Sequence, residues 1–145
     1  MIKNGKSRFE KVSGQSVILP EKKMKREDDT EILIQQIRVS VSDISGFLAE
    51  LRRIGKKHHC TLICFNREVI AGQRHSRSAI RHAERAFEEG QTIARSLEVE
   101  SLLYAAGTRQ TGLIGPFGIH MGMNECYLCI VPGRPDVYEE LLGMM

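Results

Sequence analysis

The sequence predicts a single α/β domain of the α+β type, in which a small sheet of three to five strands packs with several helices. Short apolar runs rich in β-forming residues alternate along the chain with longer segments of helical periodicity. No repeat or long linker divides the 145 residues, and a chain of this length typically buries about 68 to 70% of its unfolded surface. We therefore expect one domain over residues 1–145.

The N-terminal segment has the weakest pattern. It contains one candidate strand, SVILP at 16–20, which stops at a proline. The charged run over 20–30 has no periodicity and predicts a solvated loop. Residues 31–41 alternate apolar side chains but change phase at Gln35 and Gln36, which predicts a bulged or broken strand.

A helix and a second strand are predicted next. Ser42 is a suitable N-cap for a helix whose apolar residues over 44–51 recur at the spacing of one buried face. We expect that helix to end near His58. The run CTLICF at 60–65 is short, apolar and rich in β-formers, which predicts a strand covered on both faces.

Two further helices follow in sequence. Residues 74–89 have a helical apolar face, and Gly90 suits the left-handed residue that ends many helices. Ser96 predicts the start of a third helix and Gly107 its end.

The C-terminal part adds one strand and one helix. The run NECYLCIV at 124–131 predicts the last strand, and Pro135 suits the first turn of a short helix that ends at Leu142. The resulting order is strand, helix, strand, helix, helix, strand, helix. Strand order and direction within the sheet do not follow from this pattern.

Composition limits the class of protein. No apolar run approaches the roughly 18 to 20 residues of a membrane span, and the first residues lack the apolar core of a signal peptide. The four cysteines lie in apolar segments, which predicts reduced thiols and a cytoplasmic location without a membrane partner. A net charge of +3 is too small to identify a nucleic-acid partner by itself.

Metal and thiol chemistry is not favoured by the spacing. Cys126 and Cys129 are three residues apart within a predicted strand, so their side chains point to opposite faces. The paired glutamates 88–89 and 139–140 are adjacent on helices and do not face each other. No nucleophile elbow, phosphate-binding loop or dinucleotide fingerprint occurs. We therefore predict no catalytic residue, cofactor or metal. The candidate zinc ligands that this spacing disfavours are Cys60, Cys64, Cys126, Cys129, His58 and His59.

The charge on the second helix is reversed relative to the helix dipole. Cationic side chains crowd its first half, whereas Glu88 and Glu89 lie at its end. Each misplaced charge costs about 0.3 to 1 kcal/mol at low salt, so we expect an anionic ligand to bind this helix start. The alternative is that Arg81 and Arg85 form pairs with nearby glutamates. The basic residues are Arg74, His75, Arg77, Arg81 and His82.

The segment after the third helix offers a second place for an anion. Thr108 is suited to end one helix and cap the next, which would place Arg109 and Gln110 at a helix N-terminus. Two such places close together would suit a phosphate backbone. The alternative is that Arg109 caps the open carbonyls of the preceding helix and Gln110 satisfies a loop.

Residues 60–131 resemble the TPRKB family, the small accessory subunit of the KEOPS complex that makes threonylcarbamoyladenosine in tRNA. The resemblance rests on FNREVIAG, on HSRSAIRHAERAF and above all on EVESLLYAAGTRQ followed by FGI. The residues that match the motif are Glu100, Tyr104, Gly107, Arg109, Gln110, Gly118 and Ile119.

The resemblance implies a non-catalytic subunit that binds the small atypical kinase-ATPase of KEOPS and, in archaeal-type members, helps to hold tRNA through its 3′ end. The family has a regular helix after the Arg-Gln pair, which Gly112, Gly115 and Pro116 weaken here. We therefore expect Ile114 and Phe117 to be exposed and to contact the kinase. The residues predicted to bind tRNA are Arg74, His75, Arg77, Arg81, Arg109 and Gln110.

Two readings from other classes remain open at this point. One is a small cytoplasmic enzyme that uses the cysteine and histidine residues. The other is a purely structural bridge between proteins that makes no contact with RNA.

Overall fold

The computed structural model describes residues 7–11 and 31–143, so the candidate strand at 16–20 and the charged loop over 20–30 lie outside the described residues. In these two described ranges, four strands and four α-helices form one α+β domain, which confirms the predicted fold class. The strands are β1 (Ser7–Lys11), β2 (Leu33–Val41), β3 (Thr61–Asn66) and β4 (Gly122–Val131). The helices are α1 (Ile44–His58), α2 (Gln73–Glu88), α3 (Leu97–Ala106) and α4 (Pro135–Leu142).

The sheet has the order β1-β2-β4-β3, and every neighbouring pair is antiparallel. The last strand in the sequence, β4, therefore lies between β2 and β3. Ile37 of β2 lies opposite Cys126 of β4, and Ile63 of β3 lies opposite Cys129 of β4. The edge strand β1 pairs with β2 from Ser7 opposite Val41 onward, and the sequence pattern had not predicted it.

The sheet has a hydrophobic core on each face. One core lies between the sheet and helices α1 and α4; the other lies between the sheet and helices α2 and α3. Because side chains alternate along a strand, Cys126 belongs to the first core and Cys129 to the second, as predicted. β3 is covered on both faces for the same reason, since Leu62 packs in the first core and Ile63 in the second.

This double core corrects the predicted bulge in β2. The register between β2 and β4 is continuous from Leu33 to Val41, through both glutamines. Ile34 packs against the α2 and α3 side, whereas Ile37 and Val39 pack against the α1 and α4 side. The apolar pattern changes phase because the buried face changes along the strand, and no residue is inserted.

The helix boundaries follow from their caps. The N-cap of α1 is Asp43 rather than the predicted Ser42, since the Asp43 carboxylate accepts a hydrogen bond from Gly46 N at 3.0 Å. Ser96 caps α3 as predicted, and its hydroxyl accepts from Val99 N at 3.2 Å. Gly107 ends α3 in the left-handed region with φ 67°, where a side chain would be strained.

No α-helix begins at Thr108, which corrects a second prediction. The chain forms two single turns of 3₁₀ helix, Thr111–Leu113 and Gly115–Phe117. Thr108 Oγ1 accepts from Gln110 N at 3.1 Å and so closes a local turn. The glycines and the proline of this segment do not sustain an α-helix.

Among the described residues, each helix is too short or too polar to cross a bilayer.

Candidate nucleic-acid interface

Helices α2 and α3 pack side by side, and most of the predicted basic residues of α2 lie on its outer side. His75 links the two helices: Nδ1 accepts from Ala71 N at 3.1 Å, and Nε2 donates to Ala105 O at 3.0 Å. Farther along α2, the His82 ring stacks on Tyr104 of α3 with centroids 5.4 Å apart. These contacts bring the end of α3 beside the first half of α2.

The arginines of α2 form a stripe opposite its buried residues. Arg74, Arg81 and Arg85 are seven and four residues apart, which places them on one side of a helix. The buried side of α2 consists of Ser76, Ala79, Ile80, Ala83 and Ala86. The stripe is therefore directed away from the core and toward any ligand in solution.

These arginines differ in how far their charge is already paired. Arg81 forms an ion pair with Glu84 at 3.3 Å, as the alternative reading of this helix predicted. Arg85 instead donates to His82 Nδ1 at 3.3 Å, and Arg77 donates weakly to Ile32 O at 3.5 Å. In the part of the chain that the structure describes, Arg74 is exposed and has no ion pair or side-chain hydrogen bond. An ion pair with a glutamate therefore explains the position of Arg81 but not the positions of the other arginines in the stripe.

His75 has a different position from the one that its sequence neighbours predict. Its ring is half-buried, and both ring nitrogens are used within the protein. An imidazole so engaged offers no free donor to a phosphate. We therefore assign His75 to the packing of α2 on α3 rather than to the ligand surface.

The Arg109-Gln110 turn lies just beyond the end of α3. The carbonyls of Leu103 and Tyr104 accept from Gly107 N, and Thr108 N also bonds Leu103 O, so the backbone itself caps the helix. Within the described residues Arg109 has no ion pair or hydrogen bond, and its side chain is exposed. The predicted alternative, that Arg109 caps those carbonyls, is wrong.

Gln110 precedes a 3₁₀ turn. Its carbonyl accepts from Leu113 N at 3.0 Å, and it is the N-cap of the first turn. A single 3₁₀ turn has neither the length nor the dipole of an α-helix, so the predicted helix N-terminus does not exist here. What the turn presents is the guanidinium of Arg109.

A cavity of about 150 Å³ opens between α3 and the two loops that flank it. Glu100, which is only 2% exposed, lies in its wall. Glu100 Oε1 accepts from Ile93 N at 3.0 Å and from Ala94 N at 2.8 Å and thereby fixes the loop before α3. The remaining lining residues are Ile93, Leu103, Tyr104, Gly107, Thr108 and Arg109.

Glu100 and Tyr104 were named only as residues that match the family motif, and His82 only as one of the basic residues of α2; the contacts of Glu100 with the loop before α3 and of His82 with Tyr104 were not predicted. A signal was present, because Glu100 and Tyr104 are four residues apart and so lie on one side of α3. Their neighbours on α2 and in the preceding loop are set by tertiary packing and leave no mark on local periodicity.

Ile114 and Phe117 are not the exposed residues that were predicted. Both are partly buried and pack against the core formed by α2, α3 and the sheet. The 3₁₀ turns fold these side chains back onto the domain. The exposed apolar side chain of this segment is Leu113, at 55%.

Three of the four cysteines lie in environments that disfavour thiolates. Burial raises the pKa of Cys60 and of Cys129, and a side-chain hydrogen bond to Cys126 together with burial raises the pKa of Cys64. All four are free thiols. In the described ranges, 7–11 and 31–143, no three His, Cys, Asp or Glu side chains are grouped to hold a metal ion.

Comparison of the chain with protein-family models, with curated proteins and with solved structures gave no match.

Proposed function

We propose that this protein is a non-catalytic, RNA-binding accessory subunit, of the kind that docks a nucleic acid for a partner enzyme. More particularly, we propose a subunit of a KEOPS-type complex, which binds tRNA for threonylcarbamoyladenosine formation and contacts the small kinase-ATPase of that complex. The particular assignment comes from the resemblance of residues 60–131 to the TPRKB family.

One observation carries the RNA-binding part of the proposal. Four arginines have no carboxylate partner within the described residues: Arg74, Arg77, Arg85 and Arg109. Arg85 bonds His82 of the stacked His82–Tyr104 pair, and Arg109 lines the same cavity as Tyr104. Cationic side chains around exposed aromatic rings are typical of surfaces that bind single-stranded nucleic acid, because phosphates pair with the cations and bases stack on the rings. A structural bridge between proteins has no need of this combination.

The proposed ligand is the end of a tRNA, where duplex and single strand meet. Arg74, Arg77 and Arg85 would contact the phosphates of the acceptor duplex. Arg81 would join them only after exchanging its ion pair with Glu84 for a phosphate. Arg109, which lies at the cavity beside α3, would contact the single-stranded 3′ end.

A binding titration with two RNAs tests the proposal. Fluorescence anisotropy should show tighter binding of intact tRNA than of the same tRNA lacking its single-stranded 3′ end, and Arg109→Ala should remove that preference. Equal affinities of the unmutated protein for both RNAs would exclude the 3′-end site. An affinity that does not change with salt would exclude phosphate binding altogether.

We also propose a surface for the partner protein, at a different residue from those predicted from the sequence. Because Ile114 and Phe117 pack inward, we propose that Leu113 contributes the exposed apolar contact to the kinase-ATPase. Gel filtration of the two purified proteins at micromolar concentration should show co-elution that Leu113→Asp weakens. Absence of co-elution by the unmutated pair would reject the partner, whereas intact co-elution of Leu113→Asp would reject only this location.

We further propose a cytoplasmic location. The free thiols Cys64, Cys126 and Cys129 are all buried in apolar surroundings, as expected in a reducing compartment.

A further inference from the structure

The turn that leads into β4 is held in place by one buried side chain. Asn124 is only 1% exposed, and its amide bonds the turn three times. Its Oδ1 accepts from His120 N at 2.9 Å, and its Nδ2 donates to His120 O at 2.7 Å and to Gly122 O at 3.0 Å. Gly122 has φ 90°, in the left-handed region where a side chain is strained. The sequence HMGM at 120–123 therefore has a defined backbone, fixed from the protein interior.

The ring of His120 is fixed in one tautomer. Its Nδ1 lies 2.9 Å from Met121 O. Because a carbonyl oxygen can only accept, Nδ1 carries the proton and the neutral ring has its lone pair at Nε2. Within the described residues Nε2 has no hydrogen bond or ion pair, and it is not among the buried polar atoms that lack a partner, so it is open to solvent. A ring that donates from Nδ1 to a backbone carbonyl and leaves Nε2 free is prepared to bind a metal ion.

Two methionine side chains lie on either side of Gly122. Met121 is 57% exposed and Met123 is 52% exposed, so neither contributes to the core. The Cα atoms of the two methionines are at most about 7 Å apart along the chain. Each side chain is unbranched and has three rotatable bonds. Both sulfurs can therefore reach an ion that is bound at the Nε2 atom of His120.

We propose that His120 Nε2, Met121 Sδ and Met123 Sδ form a binding site for a soft monovalent metal ion, namely Cu(I). Thioether sulfur selects Cu(I), and imidazole nitrogen also suits copper. Zn²⁺, Ca²⁺ and Mg²⁺ instead bind thiolate, imidazole or oxygen ligands, and thioethers are not among them. The inference does not depend on the proposed RNA-binding function.

The charges near the turn agree with a neutral donor set. Glu125 is the acidic residue that follows the turn in β4, and its two oxygens already pair with Arg38 at 3.2 Å and Arg67 at 3.1 Å. No carboxylate of this residue is left to bind a hard cation. The proposed site contains one histidine and no Cys, Asp or Glu, which agrees with the absence of a cluster of three such residues in the described ranges.

The alternative reading of two exposed methionines is an adaptable surface for another protein. Such a surface depends on flexible side chains and does not require a histidine that is held in one tautomer. The backbone of the turn is fixed by Asn124, and the lone pair of His120 is directed to solvent. These two features favour a metal ion over a protein.

The test is a titration of the full chain with Cu(I) under anaerobic, ascorbate-reduced conditions. Methionine methyl groups labelled with carbon-13 report binding by NMR. One equivalent of Cu(I) should shift the methyl signals of Met121 and Met123, whereas the signals of the other four of the six methionines should not move. Competition with a chromogenic Cu(I) chelator measures the affinity.

Variants at the three ligands separate the site from other donors. Met121→Leu and Met123→Leu keep the side-chain volume but remove the sulfur. His120→Ala keeps the contacts of Asn124, which involve only the backbone of His120. Each variant should keep its Tm and bind Cu(I) at least about tenfold more weakly, since losing even an outer-shell partner of a metal ligand costs about 10- to 100-fold.

Two control variants remove donors elsewhere in the chain. His59 is exposed and has φ 58°, a conformation that asparagine tolerates, so His59→Asn removes an imidazole without strain. Cys60 is the least buried of the four cysteines, and Cys60→Ser removes its thiol. Both variants should bind Cu(I) with unchanged affinity.

The outcomes do not overlap with those for the proposed function. The site is overturned if Cu(I) leaves the signals of Met121 and Met123 in place, or if the folded methionine variants bind as tightly as the unmutated protein. Loss of binding in Cys60→Ser alone would assign the copper to a thiolate and overturn the site as well. Equally tight binding of Zn²⁺ would contradict the soft donor set. Titrations with tRNA decide only the proposed function, so either conclusion can fail without the other.

Discussion

The arginine stripe on α2 makes a quantitative prediction about salt. Each phosphate contact changes the slope of log affinity against log salt by about −0.7 for single strands and −0.9 for duplex. Considering only the part of the chain that the structure describes, four arginines of the interface lack a carboxylate partner, namely Arg74, Arg77, Arg85 and Arg109. Arg81 is left out of this count because Glu84 already offsets its charge. The expected slope is about −2.8 to −3.6, so that affinity falls about 50- to 150-fold between 50 and 200 mM salt.

Arg74→Ala is the cleanest perturbation of that slope. The side chain is exposed and makes no ion pair or side-chain hydrogen bond within the described residues, so its removal leaves the fold intact. One contact fewer should reduce the slope by about 0.7 to 0.9, and the loss of affinity over the same salt range should shrink to about 20- to 40-fold. Anisotropy titrations of tRNA at four salt concentrations measure both quantities.

Lys56→Ala provides a matched control. Lys56 is an exposed cation near the end of α1, and α1 covers the opposite face of the sheet. Its loss changes net charge by the same amount as the loss of Arg74 but should leave the slope unchanged. A slope that is the same for Arg74→Ala and the unmutated protein, or that falls equally in both variants, would refute the assignment of this surface.

Three further predictions concern the same elements. Glu84→Gln should free Arg81 for phosphate, steepening the salt slope by up to about 0.9, and a slope that stays the same or becomes shallower would contradict this. His75→Ala removes two hydrogen bonds between α2 and its neighbours and should cost about 1 to 2 kcal/mol, or about 3 to 6 °C in Tm. If His75→Ala instead weakened RNA binding without changing Tm, His75 would have to be assigned to the ligand-binding surface. The Arg53 guanidinium lowers the pKa of Glu50 to about 2 from an ordinary value of 4.5, which stabilises the fold above pH 4.5 and is lost as pH falls toward 2. Urea unfolding should therefore show Glu50→Gln less stable by about 1 kcal/mol at pH 6, a modest value because Arg53 is half-exposed, with the difference vanishing near pH 2. A difference that does not depend on pH would contradict it.

The sequence by itself determined β2, β3, β4 and the four α-helices, with the ends of most helices, but not β1 or the 3₁₀ turns after Thr108. Helical periodicity and caps act over three or four residues, so Ser96 and Gly107 predicted the limits of α3 correctly. The odd spacing of Cys126 and Cys129 likewise determined that they lie on opposite faces of the sheet. These features depend on local geometry that is the same in any fold.

Tertiary structure decided what those elements contact. The place of β4 between β2 and β3 joins residues about 90 positions apart, such as Ile37 and Cys126, and no local pattern encodes such a pairing. Helices cover both faces of the sheet, and this explains why the apolar pattern of β2 changes phase without a bulge. The packing of α3 on α2 used His75 for structure, although its basic neighbours resembled a ligand site.

The candidate site shows the same division. The sequence identified the basic residues of α2 and Arg109, because charge is a property of each residue and its position along a helix. It did not predict that Glu100 fixes the loop before α3, because the contacts of its carboxylate with Ile93 N and Ala94 N are set by how that loop packs. Which polar atoms remain without a partner is settled by packing, since burial removes the water that would otherwise satisfy them all.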